Sequence, residues 1–220
     1  MSIQIIGYSG TIADSDGSVY QALKVTPRPV AYGLHGTYRL SVATGTFSSA
    51  TLPNGSVFQF YWPSSTLSAL IWGMLVDFNG SSFSGGVNQF KLSIARQVTA
   101  NGSGGTTVTI PGTSGASQQL RTSMKPALAS PILIATTTPL TNGTWTLDST
   151  PIASATFAVD TAGTNKNFLS RFQLYGNLAH RTGAPLILGQ SEALNLSLST
   201  PSGPTFEVGV TMAWTEAAYY

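Results

Sequence analysis

His35 and His180 are the only histidines of this 220-residue chain, and Asp77, Glu192, Glu207 and Glu216 are the acids set in β-prone segments. The histidines could serve as bases, and the acids could act as a carboxylate pair. A serine hydrolase needs a nucleophile, a base and a group that orients the base, and no Gly-x-Ser-x-Gly elbow lies between a strand and a helix here. Each histidine sits in a Gly-bounded turn, His35 in YGLHGTYRL and His180 in GNLAHRTGAP, where a hydrogen-bonded or exposed imidazole is expected. Two carboxylates facing a cleft at about 5–10 Å could hydrolyse a glycosidic bond. The spacing of the four acids assigns no such pair, and their expected fate is pairing with the scattered arginines. Glu207 falls on the wet face of its strand by alternation, and Glu216 continues the apolar face just past Trp214, where that strand is expected to leave the core.

Metal and phosphate chemistry find little footing. With no cysteine, disulfides and thiolate metal sites are excluded. ADSDGSVY (13–20) resembles the start of a calcium loop through Asp14, Asp16 and Gly17, yet the closing position of such a loop needs Glu and holds Val25. Gly102-Ser103-Gly104-Gly105 is followed by no Gly-Lys-Ser/Thr and opens no helix, so it reads as a flexible loop rather than a phosphate cradle. No catalytic, cofactor-binding or metal-binding residue is assigned, and no cofactor is expected. Sequons at Asn54, Asn79, Asn101, Asn142 and Asn195 reflect a chain rich in Asn, Ser and Thr. Among aromatics, Phe58, Phe60 and Trp62 alternate as a core face does, whereas Tyr38, Tyr61, Trp72 and Trp145 could form a platform for sugar rings. A glycan-binding β-sandwich module is therefore the alternative reading of function.

Strands carry most of these residues. The stretch TFEVGVTMAWTE (205–216) places Phe206, Val208, Val210, Met212 and Trp214 on one side of an extended chain and Thr205, Glu207, Gly209, Thr211 and Thr215 on the other. Period two marks a strand with one dry and one wet face, and these five apolar residues are expected to form the core of a central C-terminal strand. Further strand signals fall at 19–25, 37–44, 56–63, 69–78, 88–98, 106–110, 131–136, 143–148, 154–160, 184–189 and 192–199. Turn formers such as Asn79-Gly80, Gly85-Gly86 and Pro201-Ser202-Gly203-Pro204 separate them. STLSALIWGMLVD has apolar residues on every side, but Ile71, Trp72 and Val76 with Asn79-Gly80 behind them favour a buried strand over a helix. Residues 117–130 read as a long connection interrupted by Pro126, and 99–117 as a mobile loop or projecting hairpin. Many short strands at even spacing predict one all-β domain, a jelly-roll-like antiparallel sandwich with long loops over 19–216. Residues 1–18 would form an N-terminal arm or a first strand, and 217–220 a tail.

Composition narrows the class of function. Hydrophobic residues make up 42% and charged residues only 8%, against about 25% in an ordinary soluble domain. Ser, Thr, Asn, Gln and 23 Gly supply a neutral polar coat of the kind found where much outer surface meets neighbouring subunits. Ten Lys and Arg against eight Asp and Glu give a net charge of +2 without a basic run, so no specific nucleic-acid partner is expected. The start, MSIQIIGYSG, lacks a positive n-region and a long apolar h-region, so no secretory signal is expected and the chain should fold in the cytoplasm where it is made. The longest apolar run, ALIWGMLV (69–76), is far short of the roughly 20 residues of a membrane-spanning helix, and no membrane partner is expected.

The order TLSALIWGMLVDF, NQFKLSIARQVTA, a Gly/Ser/Thr-rich turn, LRTSM, PILIATTTPLTNGTWTLDSTPIAS and PLILGQSEALNLSLSTPSGPTFEVGVTMAWTE resembles a diffuse group of tailed-bacteriophage virion proteins over residues 30 to 216. The most specific piece is the close, where LGQSEAL leads through a Gly/Pro turn into a strand ending Trp-Thr-Glu, with Glu192, Trp214 and Glu216 at the matching places. The resemblance implies a β-sandwich or jelly-roll structural component without a catalytic motif, capsid decoration (cement) proteins being among them. Such a protein would act in the virion, assembled in the host cytoplasm. It would be a homo-oligomer, with a trimer favoured, that binds the major capsid protein or other virion proteins. Ile3 and Ile5 in the arm, and Tyr219 and Tyr220 in the tail, are the candidate partner contacts.

Overall fold

The computed structural model describes residues 36–48, 55–81, 86–98, 102–108, 132–159, 168–176, 185–200 and 205–218. Thirteen strands lie among them: β1 (Gly36–Ala43), β2 (Phe47–Ser48), β3 (Gly55–Trp62), β4 (Leu67–Ser81), β5 (Gly86–Arg96), β6 (Thr106–Val108), β7 (Ile132–Ile134), β8 (Thr146–Leu147), β9 (Ala153–Val159), β10 (Phe168–Tyr175), β11 (Leu186–Leu188), β12 (Glu192–Ser199) and β13 (Thr205–Ala218). No residue in the described segments is helical, so the fold is all-β as the turn and alternation signals require. The segment tested as a helix is the long strand β4. The expected strand at 19–25, the arm at 1–18 with Ile3 and Ile5, and Tyr219 and Tyr220 lie outside the described residues.

Two antiparallel sheets form a sandwich. The six-stranded sheet runs β1-β13-β4-β10, with β2 also on β13 and β11 also on β4; the seven-stranded sheet runs β6-β7-β3-β12-β5-β8, with β9 also on β5. β13 is the centre of the first sheet, pairing with β4 over fourteen positions from Thr205–Ser81 to Ala218–Leu67. On its other side β1 and β2 act as one edge bent at Thr44, whose hydroxyl accepts from the Val208 N–H at 2.9 Å while its own N–H donates to the Val208 carbonyl at 2.9 Å.

The dry faces meet as the alternation predicts. Phe206, Val208, Val210, Met212 and Trp214 are all buried. Trp214 stacks on Tyr38 of β1 at 5.4 Å and meets the edge of Phe60 in the opposite sheet at 5.6 Å. At the other end Phe78 packs on Phe206 at 5.4 Å and on Phe157 at 4.9 Å. Each such ring removed from water contributes about 1.5–3 kcal/mol, so these two aromatic clusters clamp the sheets together at both ends.

Three expectations are corrected by the pairing. Glu216 does not mark an exit from the core: it is 2% exposed, and β13 continues to Ala218 because β4 offers partners down to Leu67. The 143–148 strand shrinks to Thr146–Leu147, since only the last two residues of β5 face it. Part of the 99–117 loop is held against the body. Ser103 and Thr141 exchange backbone hydrogen bonds at 3.1 and 2.9 Å, and β6 then pairs with β7. The chain reaches that register through Gly105, whose φ of 65° suits glycine and where a Cβ would overlap the Ile134 carbonyl.

Candidate functional site

The outer face of the six-stranded sheet is interrupted where two irregularities coincide on β4. Against β13, Trp72 is skipped: Ala213 pairs with Gly73 and Trp214 with Ile71. Against β10, Leu174 is skipped between Gln173, opposite Leu75, and Tyr175, opposite Met74. A bulge bends its strand and re-aims a side chain. With one on each flank, the sheet opens into a pocket of about 240 Å³ lined by Arg39, Trp72, Gln173, Tyr175 and Thr211, with Gly73, Gly176 and Ala213 contributing backbone.

Two of the lining side chains are held by definite contacts. The Trp72 indole donates its N–H to the Thr215 hydroxyl at 2.8 Å, which fixes the ring plane. Thr211 shares a 3.0 Å hydroxyl–hydroxyl bond with Ser41 on β1. Gly176 has a φ of 132°, and a Cβ there would come within 2.7 Å of the Gln173 amide nitrogen, so glycine leaves the amide its place. The Tyr175 phenol, ordinarily neutral at physiological pH, has its pKa raised further by burial.

Five of the charged side chains outside the pocket pair with one another. Arg171 grips Asp77 on the same sheet face at 2.6 and 3.4 Å, and Arg96 joins Glu192 at 3.0 Å and Asp148 at 3.4 Å. The expected arginine pairing therefore holds for Asp77 and Glu192. Glu207 instead accepts from the Thr46 hydroxyl at 2.7 Å. Glu216 lies inside the sandwich, where it accepts a 3.5 Å bond from the Trp214 indole and its negative charge helps burial raise the Tyr38 pKa. None of these carboxylates lines the pocket.

Other candidate residues are dispersed. Tyr38 and Trp145 are buried, and Tyr61 packs beside a small cluster of Ala95, Val98, Trp145 and Ala193 on the other sheet, so the four-aromatic platform does not form and Trp72 alone lines the pocket. Asn195 is wholly buried and accepts from the Ser56 hydroxyl, which also accepts from the Gln59 amide; Gln59 reaches Asn142 at 2.8 Å. Two of the five sequon asparagines thus belong to an interior amide cluster on the seven-stranded sheet, beneath the 140–145 loop. His35, His180 and the Asp14–Asp16 turn lie outside the described residues. Among the described residues no group of three or more His, Asp or Glu is placed to hold a metal ion, and no helix is long and apolar enough to cross a membrane.

Sequence reasoning missed Arg39, Gln173, Tyr175 and Thr211 as members of one site. FLSRFQLY (168–175) carried a period-two signal, with Phe168, Ser170, Phe172 and Leu174 alternating against Leu169, Arg171, Gln173 and Tyr175, and that signal could have placed β10. No family model and no curated protein matches the chain.

Proposed function

We propose that the protein is a non-enzymatic structural component of a bacteriophage virion, a capsid decoration or cement protein that works as a homo-oligomer on the major capsid protein. The observation that carries this reading is a chain with only 8% charged residues whose sandwich surface sets apolar side chains in the open. Arg171 pairs with Asp77 and Arg96 with Asp148 and Glu192, while Val87 and Ile187 stand 60% and 57% exposed. Depletion of charge is the compositional mark of an interface core, and a standard contact covers about 800 Å² per partner. The resemblance of the segments closing on Trp214-Thr215-Glu216 to tailed-phage virion proteins supports the same reading, as would a jelly-roll-like connectivity of the sheets.

Mechanistically, a subunit of this kind stabilises a shell by occupying a local symmetry axis and burying surface across neighbouring capsomers. A ligand that binds only the assembled state adds stability by mass action, and a closed trimer presents three such contacts at once. Neither nucleic acid nor a membrane is needed as a partner, and the site of action is the virion, assembled in the host cytoplasm.

Light scattering of the purified protein, followed by mixing with shells assembled without it, tests the proposal. A particle of three times the 23.0 kDa subunit mass that binds shells to saturation is the expected result. A monomer that leaves the shells unbound overturns it.

A further inference from the structure

We propose that the pocket at the double bulge of the six-stranded sheet binds a single carboxylate-bearing sugar ring, a uronic or sialic acid unit of a surface glycan. This goes beyond a role in assembly and does not depend on it, since the described lining residues all belong to one chain.

The charge pattern is the first argument. Three arginines are described in the structure. Arg96 and Arg171 each hold a carboxylate at 3.4 Å or closer, whereas Arg39, exposed among the pocket-lining residues, holds none among the described residues. With no acid among the described lining residues, the pocket presents a guanidinium whose planar fork matches a carboxylate bidentately. A neutral or cationic ligand would leave that feature unused.

Shape and the remaining groups supply the second argument. At about 240 Å³ the pocket falls below the roughly 300–1,000 Å³ of sites for drug-sized molecules, so it accommodates one ring rather than an extended oligosaccharide. Trp72 is an amphipathic surface already immobilised through Thr215, so a ligand stacking on it loses little side-chain freedom in the protein. The Gln173 amide, the Thr211 hydroxyl and the neutral Tyr175 phenol offer donors and acceptors of the kind that pair with ring hydroxyls. One apolar face, one cation and several neutral hydrogen-bonding groups together complement an acidic sugar.

The experiment is ligand-observed saturation-transfer NMR on the full chain with methyl glucuronide, N-acetylneuraminic acid, methyl glucoside and N-acetylalanine. At least one acidic sugar is expected to bind in the millimolar range, with methyl glucoside and N-acetylalanine at least about tenfold weaker, as expected for losing a charged bidentate contact or the stacked ring. Arg39→Gln should bring the acidic sugar down to the level of the glucoside, and Arg171→Gln should leave binding unchanged. Trp72→Ala should abolish transfer to all the sugars. If that variant fails to fold by circular dichroism, Arg39→Gln decides alone, because Arg39 is exposed. Absence of transfer to both acidic sugars, equal binding by Arg39→Gln, or N-acetylalanine binding as well as the sugars would each overturn the proposal, the last by assigning the pocket to a peptide carboxylate.

Discussion

The indole nitrogen of Trp72 donates to the hydroxyl of Thr215 at 2.8 Å, joining residues 143 apart in the chain across the bulge that separates β4 from β13. The bond closes one wall of the outer-face pocket and secures a strand pair where the ladder itself is interrupted. Thr215→Val keeps the shape and removes the acceptor. Because a buried or half-buried donor left without a partner costs about 1–3 kcal/mol, urea unfolding should show a loss near the lower end of that range. An unchanged midpoint would mean that the indole finds another acceptor.

Alkaline pH should weaken the fold through Tyr38. Burial chiefly, and the Glu216 charge in addition, raise its pKa above the ordinary 10.0, and burial raises Tyr175 in the same direction. The unfolded chain therefore loses these protons before the folded one does. Their contribution to stability is present in full below the unfolded value of about 10 and is lost as pH rises from there through the folded values. Tyr38→Phe should flatten the decline of urea midpoints above about pH 10, and Glu216→Gln should bring the Tyr38 titration, read by tyrosinate absorbance, back toward 10.0.

Asn88 offers a gain in stability. It lies on β5 opposite Phe157, shares by alternation the inward face of Phe90, Leu92 and Ile94, is wholly buried, and has no partner for either amide atom. Exchanging an unsatisfied buried amide for an apolar, strand-favouring side chain of similar size should help. Asn88→Val is expected to raise stability by about 1–2 kcal/mol in thermal or urea unfolding. A lowered midpoint would show that the amide is satisfied by a buried water worth keeping.

At Gly105 the backbone rather than a side chain sets the limit. Alanine there must adopt a φ of 65° and overlap the Ile134 carbonyl, so Gly105→Ala should detach β6 from β7. The combined cost is expected at about 1–3 kcal/mol, and limited proteolysis should cut between 99 and 117 faster than in the parent protein. Equal cleavage rates would count against the role given to this turn.

The sequence was most legible where local geometry dominates. Phe206 to Trp214 alternate because successive side chains of any extended chain point to opposite faces, and burial follows that alternation to Trp214. It was least legible in β10, whose period-two signal lies beside polar Arg171 and Gln173, and at Glu216, whose charge suggested an exit that pairing with Ala69 rules out. The pocket was not legible at all: Arg39, Trp72, Gln173 and Thr211 come from four strands of different sequence position.

Composition and periodicity by themselves determined that the chain is β-built, free of thiol chemistry, short of charge and carried by a C-terminal core strand, because these depend on residue type and on sterics between near neighbours. Which strands adjoin, that the ladders on both flanks of β4 are interrupted, by Trp72 of β4 and by Leu174 of β10, and that Trp72 meets Thr215 while Arg39 has no carboxylate among the described residues, all came from the fold as a whole. Those outcomes depend on the register between distant segments, which the packing of two whole sheets selects, and a shift of one residue would turn every one of these side chains to the opposite face.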